Sequence, residues 1–287
     1  MASECSAIIV HPSFPWGLRH FLARGGVGHS PKQIRIHGMP FDCQVHQTQV
    51  RTSLAEGRGA GSSFSDSTGR GVWSGSIVLA QWLITNGEVL RFTLGELARP
   101  RDRRRPRCVE LGSGVGALCA TAAAYLGCDA VATDLQEIVA LTRRNVCITV
   151  LRAAAHGHLF RGTLRAAPLM WGEGEEASVL RDEGNGEGGE CAADLVVLAD
   201  VVYALKGENN SESTSLLRAL VRTIKGLSDR KTTIILAHTP RHPATDDAFF
   251  QRVLPENDLE AVRLDVSRCP LGADIKRKVN LYQIRYV

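Results

Sequence analysis

The sequence predicts a doubly wound α/β domain whose sheet is mostly parallel and closes with an antiparallel C-terminal hairpin. Three observations carry this expectation. Short runs rich in valine, isoleucine and leucine alternate with helix-length segments from Cys108 to Ala237, the pattern of parallel strands covered on both faces. A glycine turn, Gly112-Ser113-Gly114, stands where one such run passes into a helix. Two period-two segments, Leu259 to Val266 and Val279 to Tyr286, follow without a long helix between them, which suits antiparallel pairing at a sheet edge.

Taken in order, residues 1–70 are rich in glycine and serine and read as a flexible arm holding a short hairpin around Ile34 to Ile36 and Cys43 to Val50. The folded domain, 71–287, opens with a helix that Ser76 can cap, whose apolar face is Ile77, Ala80, Leu83 and Ile84 and whose stop is Gly87. Six arginines between Arg99 and Arg107, broken by Pro100 and Pro106, read as a solvated loop. Strands are expected at Cys108 to Leu111, Ala130 to Thr133, Leu195 to Ala199 and Thr233 to Ala237, with helices at Val115 to Leu126, Leu135 to Val150 and Ser211 to Leu227. Residues 172–193 hold seven acids and six glycines and read as a disordered insertion. Phe249 and Phe250 lie in a helical stretch and read as core.

Composition excludes several classes. With 44% apolar and 22% charged residues the 287-residue chain is neither disordered nor collagenous, and no apolar run approaches the roughly 18 residues of a membrane span. Thirty-four basic against 30 acidic residues, net +4, do not nominate a nucleic-acid partner. The eight cysteines show no CxxC pair and no metal-ligand spacing, so they read as reduced thiols of a cytoplasmic protein. The N-terminus lacks a secretory pattern. Its acid-poor first 30 residues, with Glu4 the one acid beside Arg19 and Arg24, keep organellar import as an alternative, and a nuclear location is another.

Candidate chemistry centres on Val109-Glu110-Leu111-Gly112-Ser113-Gly114-Val115-Gly116. Glycines there permit a tight turn and close approach of a ligand to the backbone. Asp134 follows at the end of the next strand, where a carboxylate can accept both hydroxyls of a ribose. Gly112, Gly114 and Ala117 also satisfy the dinucleotide pattern, so a nicotinamide cofactor is the rival. Glu110 favours S-adenosyl-L-methionine, because an acid before the turn suits an ammonium group better than a pyrophosphate.

These residues resemble the seven-β-strand methyltransferases with their Rossmann-like sheet, and within them methyltransferase family 16, the protein lysine methyltransferases. The likeness runs from about Gly71 to Tyr286 through Gly71-Val72-Trp73, the Glu110 to Gly116 loop, Thr133-Asp134, Arg144-Asn145-Val146, Leu169-Met170-Trp171-Gly172 and Ala199-Asp200-Val201-Val202-Tyr203. The resemblance implies that Trp73, Gly112, Ser113, Gly114, Asp134, Trp171 and Ala199 hold S-adenosyl-L-methionine, with Asp200 and Tyr203 facing the reacting group. It also implies a protein substrate presenting a lysine. The turn His238-Thr239-Pro240-Arg241 departs from the family's pattern, which often has an aromatic residue before the basic one. Three readings therefore stand on the sequence: a protein-lysine methyltransferase, with histidine as the other conceivable acceptor; a module that binds the same cofactor without transfer; and a nicotinamide-dependent oxidoreductase. Nucleic-acid methylation is disfavoured, since no Asn-Pro-Pro-Tyr type motif follows the fourth strand.

Overall fold

The computed structural model describes residues 32–46, 67–87, 90, 105–180, 192–203, 210–272 and 278–287. Among these the strands run β1 Lys32–Arg35, β2 Asp42–Val45, β3 Arg107–Leu111, β4 Asp129–Asp134, β5 Thr163–Pro168, β6 Leu195–Ala199, β7 Thr233–His238, β8 Leu259–Leu264 and β9 Asn280–Tyr286. The helices are α1 Ser74–Thr85, α2 Leu118–Leu126, α3 Gln136–Ala155, α4 Glu176–Leu180, α5 Asn210–Leu227 and α6 Pro243–Asp247, with a 3-10 turn at Ser67–Arg70 and a π-helical turn at Ala248–Val253.

Seven strands form one sheet in the order β5-β4-β3-β6-β7-β9-β8. The first five are parallel; β9 runs antiparallel between β7 and β8. The expected C-terminal hairpin is therefore present, with its second strand inserted inside the first and β8 left at the edge. Strand β6 shows why both faces must be covered: Leu195, Val197 and Ala199 join one apolar cluster, and Val196 and Leu198 join the other. The first cluster packs α1, α2 and α3 on one face, and the second packs α5 and the π-helical turn on the other. Phe249 is fully buried there, the core role its sequence suggested.

Several elements differ from expectation for local reasons. Helix α1 begins at Ser74 with Trp73 as N-cap, and Ser76 Oγ donates to Trp73 O at 2.8 Å, so Ser76 sits inside the first turn and does not cap it. Helix α2 starts at Leu118, because residues 112–117 are spent on the turn. Strand β5 has no counterpart among the runs read from the sequence, since Arg165 and Pro168 weaken its apolar pattern at a sheet edge.

The hairpin near residue 40 is β1–β2, and it is built into the domain. Ile34, Ile36, Cys43 and Val45 are buried, and Gln44 N donates to Thr149 Oγ1 at 2.9 Å on α3. Of the acidic segment, residues 172–180 form a turn and α4, where Val179 is buried; 181–191 lie outside the described residues, as do 1–31, 47–66 and most of the arginine run.

Candidate active site

The carboxyl ends of β3, β4, β6 and β7 open onto a cavity of about 420 Å³, within the range of about 300–1,000 Å³ usual for small-molecule sites. Parallel strands deliver side chains and helix-entry turns to that one edge, so ligands of open α/β sheets gather there.

The turn after β3 forms one wall. Gly112 and Gly114 take φ of 64° and 55°, the left-handed region that side chains resist. Space is equally restrictive: a Cβ on Gly112 would lie 2.7 Å from Val201 Cγ1, and one on Gly114 3.1 Å from Gly69 O. Ala117 closes the turn at φ 45°, a strained position for a residue with a Cβ. Hydrogen bonds hold the turn from three elements: β4, the 3-10 turn and α3. Ser113 N donates to Thr133 O at 2.9 Å and Val115 N to Gly69 O at 2.9 Å. Thr142 Oγ1 donates to Gly114 O at 3.0 Å, and Asn145 Nδ2 to Val115 O at 2.8 Å. Asn145 also pairs with the backbone of His46 at 3.0 Å in both directions, which ties the N-terminal hairpin to the ligand-facing loop.

Asp134 ends β4 and lines the cavity. Its Oδ2 accepts from Gly114 N at 2.7 Å and its Oδ1 from Leu135 N at 2.8 Å. Burial pushes its carboxyl up to about 6, against these two donors, which pull the other way. Each oxygen keeps a second lone pair for a ligand hydroxyl.

Trp73, Trp171, Ser113, Ala199, Asp200 and Tyr203 all line the same cavity. Trp73 is 42% exposed at its rim. Ten of the residues proposed from sequence include nine that meet here; the exception is Glu110. Its carboxylate is 1% exposed, does not line the cavity, and accepts the Ala120 N–H at 2.8 Å beneath the first turn of α2. Burial pushes it up to about 7, offset in part by the N–H donors of Ala120 and Cys119. The ammonium-facing role expected of Glu110 is thus corrected to that of a helix cap, because its position on β3 turns it toward α2 and away from the turn's open side.

Asp200 follows β6 at φ 57°, with its side chain 1% exposed. Oδ2 accepts from Gly75 N at 2.7 Å; Oδ1 accepts from Thr239 N at 2.9 Å and lies 3.2 Å from Arg241 Nη2. Arg241, whose guanidinium carbon stands 4.5 Å from the centre of the Trp73 ring, also lines the cavity. Sequence reasoning left its role open; a basic residue just beyond a strand's carboxyl end was the available signal. Leu216 and Glu137 are further lining residues it did not single out, and Met170, quoted within a motif but given no role, lines the cavity too.

A family model described as lysine methyltransferase matches residues 60–256, well over half of the chain. Similar solved structures include a ribosomal protein L11 methylase from Lactobacillus delbrueckii subsp. bulgaricus, 17% identical, aligned over 70% of this chain and 78% of that one with a TM-score of 0.35. A magnesium protoporphyrin IX methyltransferase from Synechocystis PCC 6803 with bound S-adenosylmethionine is 15% identical over 72% and 84%, TM-score 0.35. A methyltransferase from Pyrococcus furiosus is 14% identical over 71% and 84%, TM-score 0.37.

Proposed function

The chain belongs to the lysine methyltransferase family, whose model spans residues 60–256, and from that premise we propose that it methylates a protein side chain, the ε-amine of a lysine. The observation that carries the proposal is the cavity at the carboxyl ends of the strands, lined together by the Gly112–Gly114 turn, Asp134, Asp200, Tyr203 and Arg241. S-adenosyl-L-methionine, the cofactor of this family, supplies a methyl group on a sulfonium that leaves as a thioether when an uncharged amine attacks.

The residues present fit that cofactor. Gly112 and Gly114 present bare backbone to the cavity, and Asp134 presents a buried acceptor for a ribose. Trp73 and Trp171 supply aromatic walls, favourable to a sulfonium and to a flat base. Ser113 and Ala199 line the same cavity.

A lysine amine has an unperturbed pKa of about 10.4, so presenting it uncharged at pH 7 costs roughly 4.6 kcal/mol. A walled cavity that strips water from the ammonium lowers that cost. Tyr203 narrows the acceptor end and holds the amine in line with the leaving group. Asp200 acts as a positioning residue. Its oxygens already receive Gly75 N, Thr239 N and Arg241, so it fixes the wall where the acceptor arrives and is not assigned proton removal.

In keeping with that function, Cys43, Cys108, Cys119, Cys128 and Cys147 are thiols, which suits a reducing compartment, and we place the protein in the cytoplasm. Among the described residues no helix is long and apolar enough to cross a membrane.

The test is transfer of a labelled methyl group from S-adenosyl-L-methionine into proteins of a cell extract, followed by peptide mapping of the labelled band. Label on a lysine supports the assignment, and label on histidine redirects the acceptor. Tight cofactor binding without transfer to any fraction would favour a non-catalytic binding module, and preference for a nicotinamide dinucleotide would sink the methyltransferase reading.

A further inference from the structure

Among the described residues lining the cavity, the charged side chains divide by end. Asp134 and Glu137 come from the exit of β4 and the start of α3; Asp200 and Arg241 come from the exits of β6 and β7. Strand β4 is separated from β6 by β3 and from β7 by β3 and β6, so the strand exits that carry Asp200 and Arg241 stand roughly 10 and 14 Å from that of Asp134 at ordinary strand spacing. One end offers carboxylate acceptors. The other holds the one cation among the described lining residues, Arg241.

Arg241 is held in place. Its Nη2 lies 3.2 Å from Asp200 Oδ1, and its guanidinium covers the Trp73 ring at 4.5 Å. Asp200 in turn is anchored by Gly75 N and Thr239 N, which divide its charge among three donors. A guanidinium carries five N–H donors in a planar fork, so the single Asp200 contact leaves donor capacity at a wall that faces the cavity. The matching ligand for such a fork is a carboxylate, which it binds through charge-assisted hydrogen bonds.

We propose that Arg241 is a carboxylate-binding residue at the β6–β7 end of the cavity. This rests on the methyltransferase reading, which offers two sources of the carboxylate: the amino-acid portion of the cofactor, or an acidic side chain beside the acceptor lysine. A ligand with ribose hydroxyls at one end and a carboxylate at the other matches the division of charge in the cavity. The stacked, ion-paired guanidinium is pre-organised for that contact, so little side-chain freedom is lost on binding.

Calorimetry of wild type, Arg241→Met and Arg241→Lys with S-adenosylhomocysteine and with methylthioadenosine, which lacks the amino-acid portion, tests the proposal. If the cofactor supplies the carboxylate, Arg241→Met weakens S-adenosylhomocysteine by roughly ten- to a hundredfold, Arg241→Lys recovers part of the loss, and methylthioadenosine binds all three proteins alike. If the acceptor supplies it, both ligands bind all three alike, and with peptides cut from the labelled acceptor KM rises in Arg241→Met at unchanged kcat. Equal losses for both ligands would assign Arg241 a purely structural role and overturn the proposal. So would unchanged affinities together with an unchanged acceptor KM. Failure of wild type to bind S-adenosylhomocysteine at all is a different result, and it would remove the parent reading itself.

Discussion

The Asp200 carboxylate accepts the Gly75 N–H at 2.7 Å, so the residue that follows β6 caps the first turn of α1. The bond joins two elements that line the cavity, α1 and the exit of β6. It also explains why the second residue of the helix is a glycine.

Gly75→Ala is expected to destabilise the protein, although alanine ordinarily favours a helix over glycine by roughly 0.5–1 kcal/mol. A Cβ at position 75 would lie 2.5 Å from Asp200 Oδ2 and 2.8 Å from its Cγ. The carboxylate cannot retreat without breaking its contacts to Thr239 N and Arg241. Overpacking of this kind costs about 1–3 kcal/mol, so denaturant unfolding should show a lower midpoint. A stabilised Gly75→Ala protein would mean that Asp200 moves easily.

Asp200→Asn should lower stability by about 1–3 kcal/mol, because its new N–H groups meet the donors Gly75 N, Thr239 N or Arg241 in a buried site. Asparagine tolerates the positive φ of 57°, so the backbone is not the cause. The check is thermal unfolding run beside the transfer assay. Lost transfer with an unchanged melting temperature would restore a direct chemical role to Asp200.

What was legible in the sequence follows from locality. The all-apolar run Leu195 to Ala199, the Gly112 turn and Asp134 each announce themselves within a few residues, and the structure brings them to one edge. Glu110 could have been placed correctly by period two, since it shares the α2-facing side of β3 with Cys108 while Val109 and Leu111 face the other cluster. Strand β5 was hidden by Arg165 and Pro168, which an edge position tolerates. The Arg241, Trp73 and Asp200 contacts join three distant segments, so no local pattern could reveal them.

Cofactor affinity should strengthen as pH rises from 5 to 7. Burial holds the Asp134 carboxyl at about 6, and only its anion offers both oxygens as acceptors to ribose hydroxyls. Below that value each pH unit lowers the binding-competent fraction by about tenfold, and above it the gain levels off. Calorimetry with S-adenosylhomocysteine at pH 5, 6, 7 and 8 measures this directly. Asp134→Asn should bind more weakly at pH 7 and with little change across the series; the same slope in the variant would place the titrating group elsewhere.

Glu110 makes a separate prediction, about folding and not ligand binding. Burial raises its carboxyl from an ordinary 4.5 to about 7 in the folded protein. Between those two values the unfolded chain has released the proton while the folded one keeps it, so stability from this group falls as pH rises through the window and is constant above it. Each unit of difference corresponds to about 1.4 kcal/mol. Asp134, raised from 3.8 to about 6, slopes in the same direction over a lower range. Glu110→Gln retains an oxygen for the Ala120 N–H and carries no charge at any pH. Its unfolding free energy should therefore vary less than wild type between pH 6 and 7, since Asp134 contributes the same slope to both proteins. Parallel curves for the two proteins across that interval would show that Glu110 titrates near its ordinary value despite its burial.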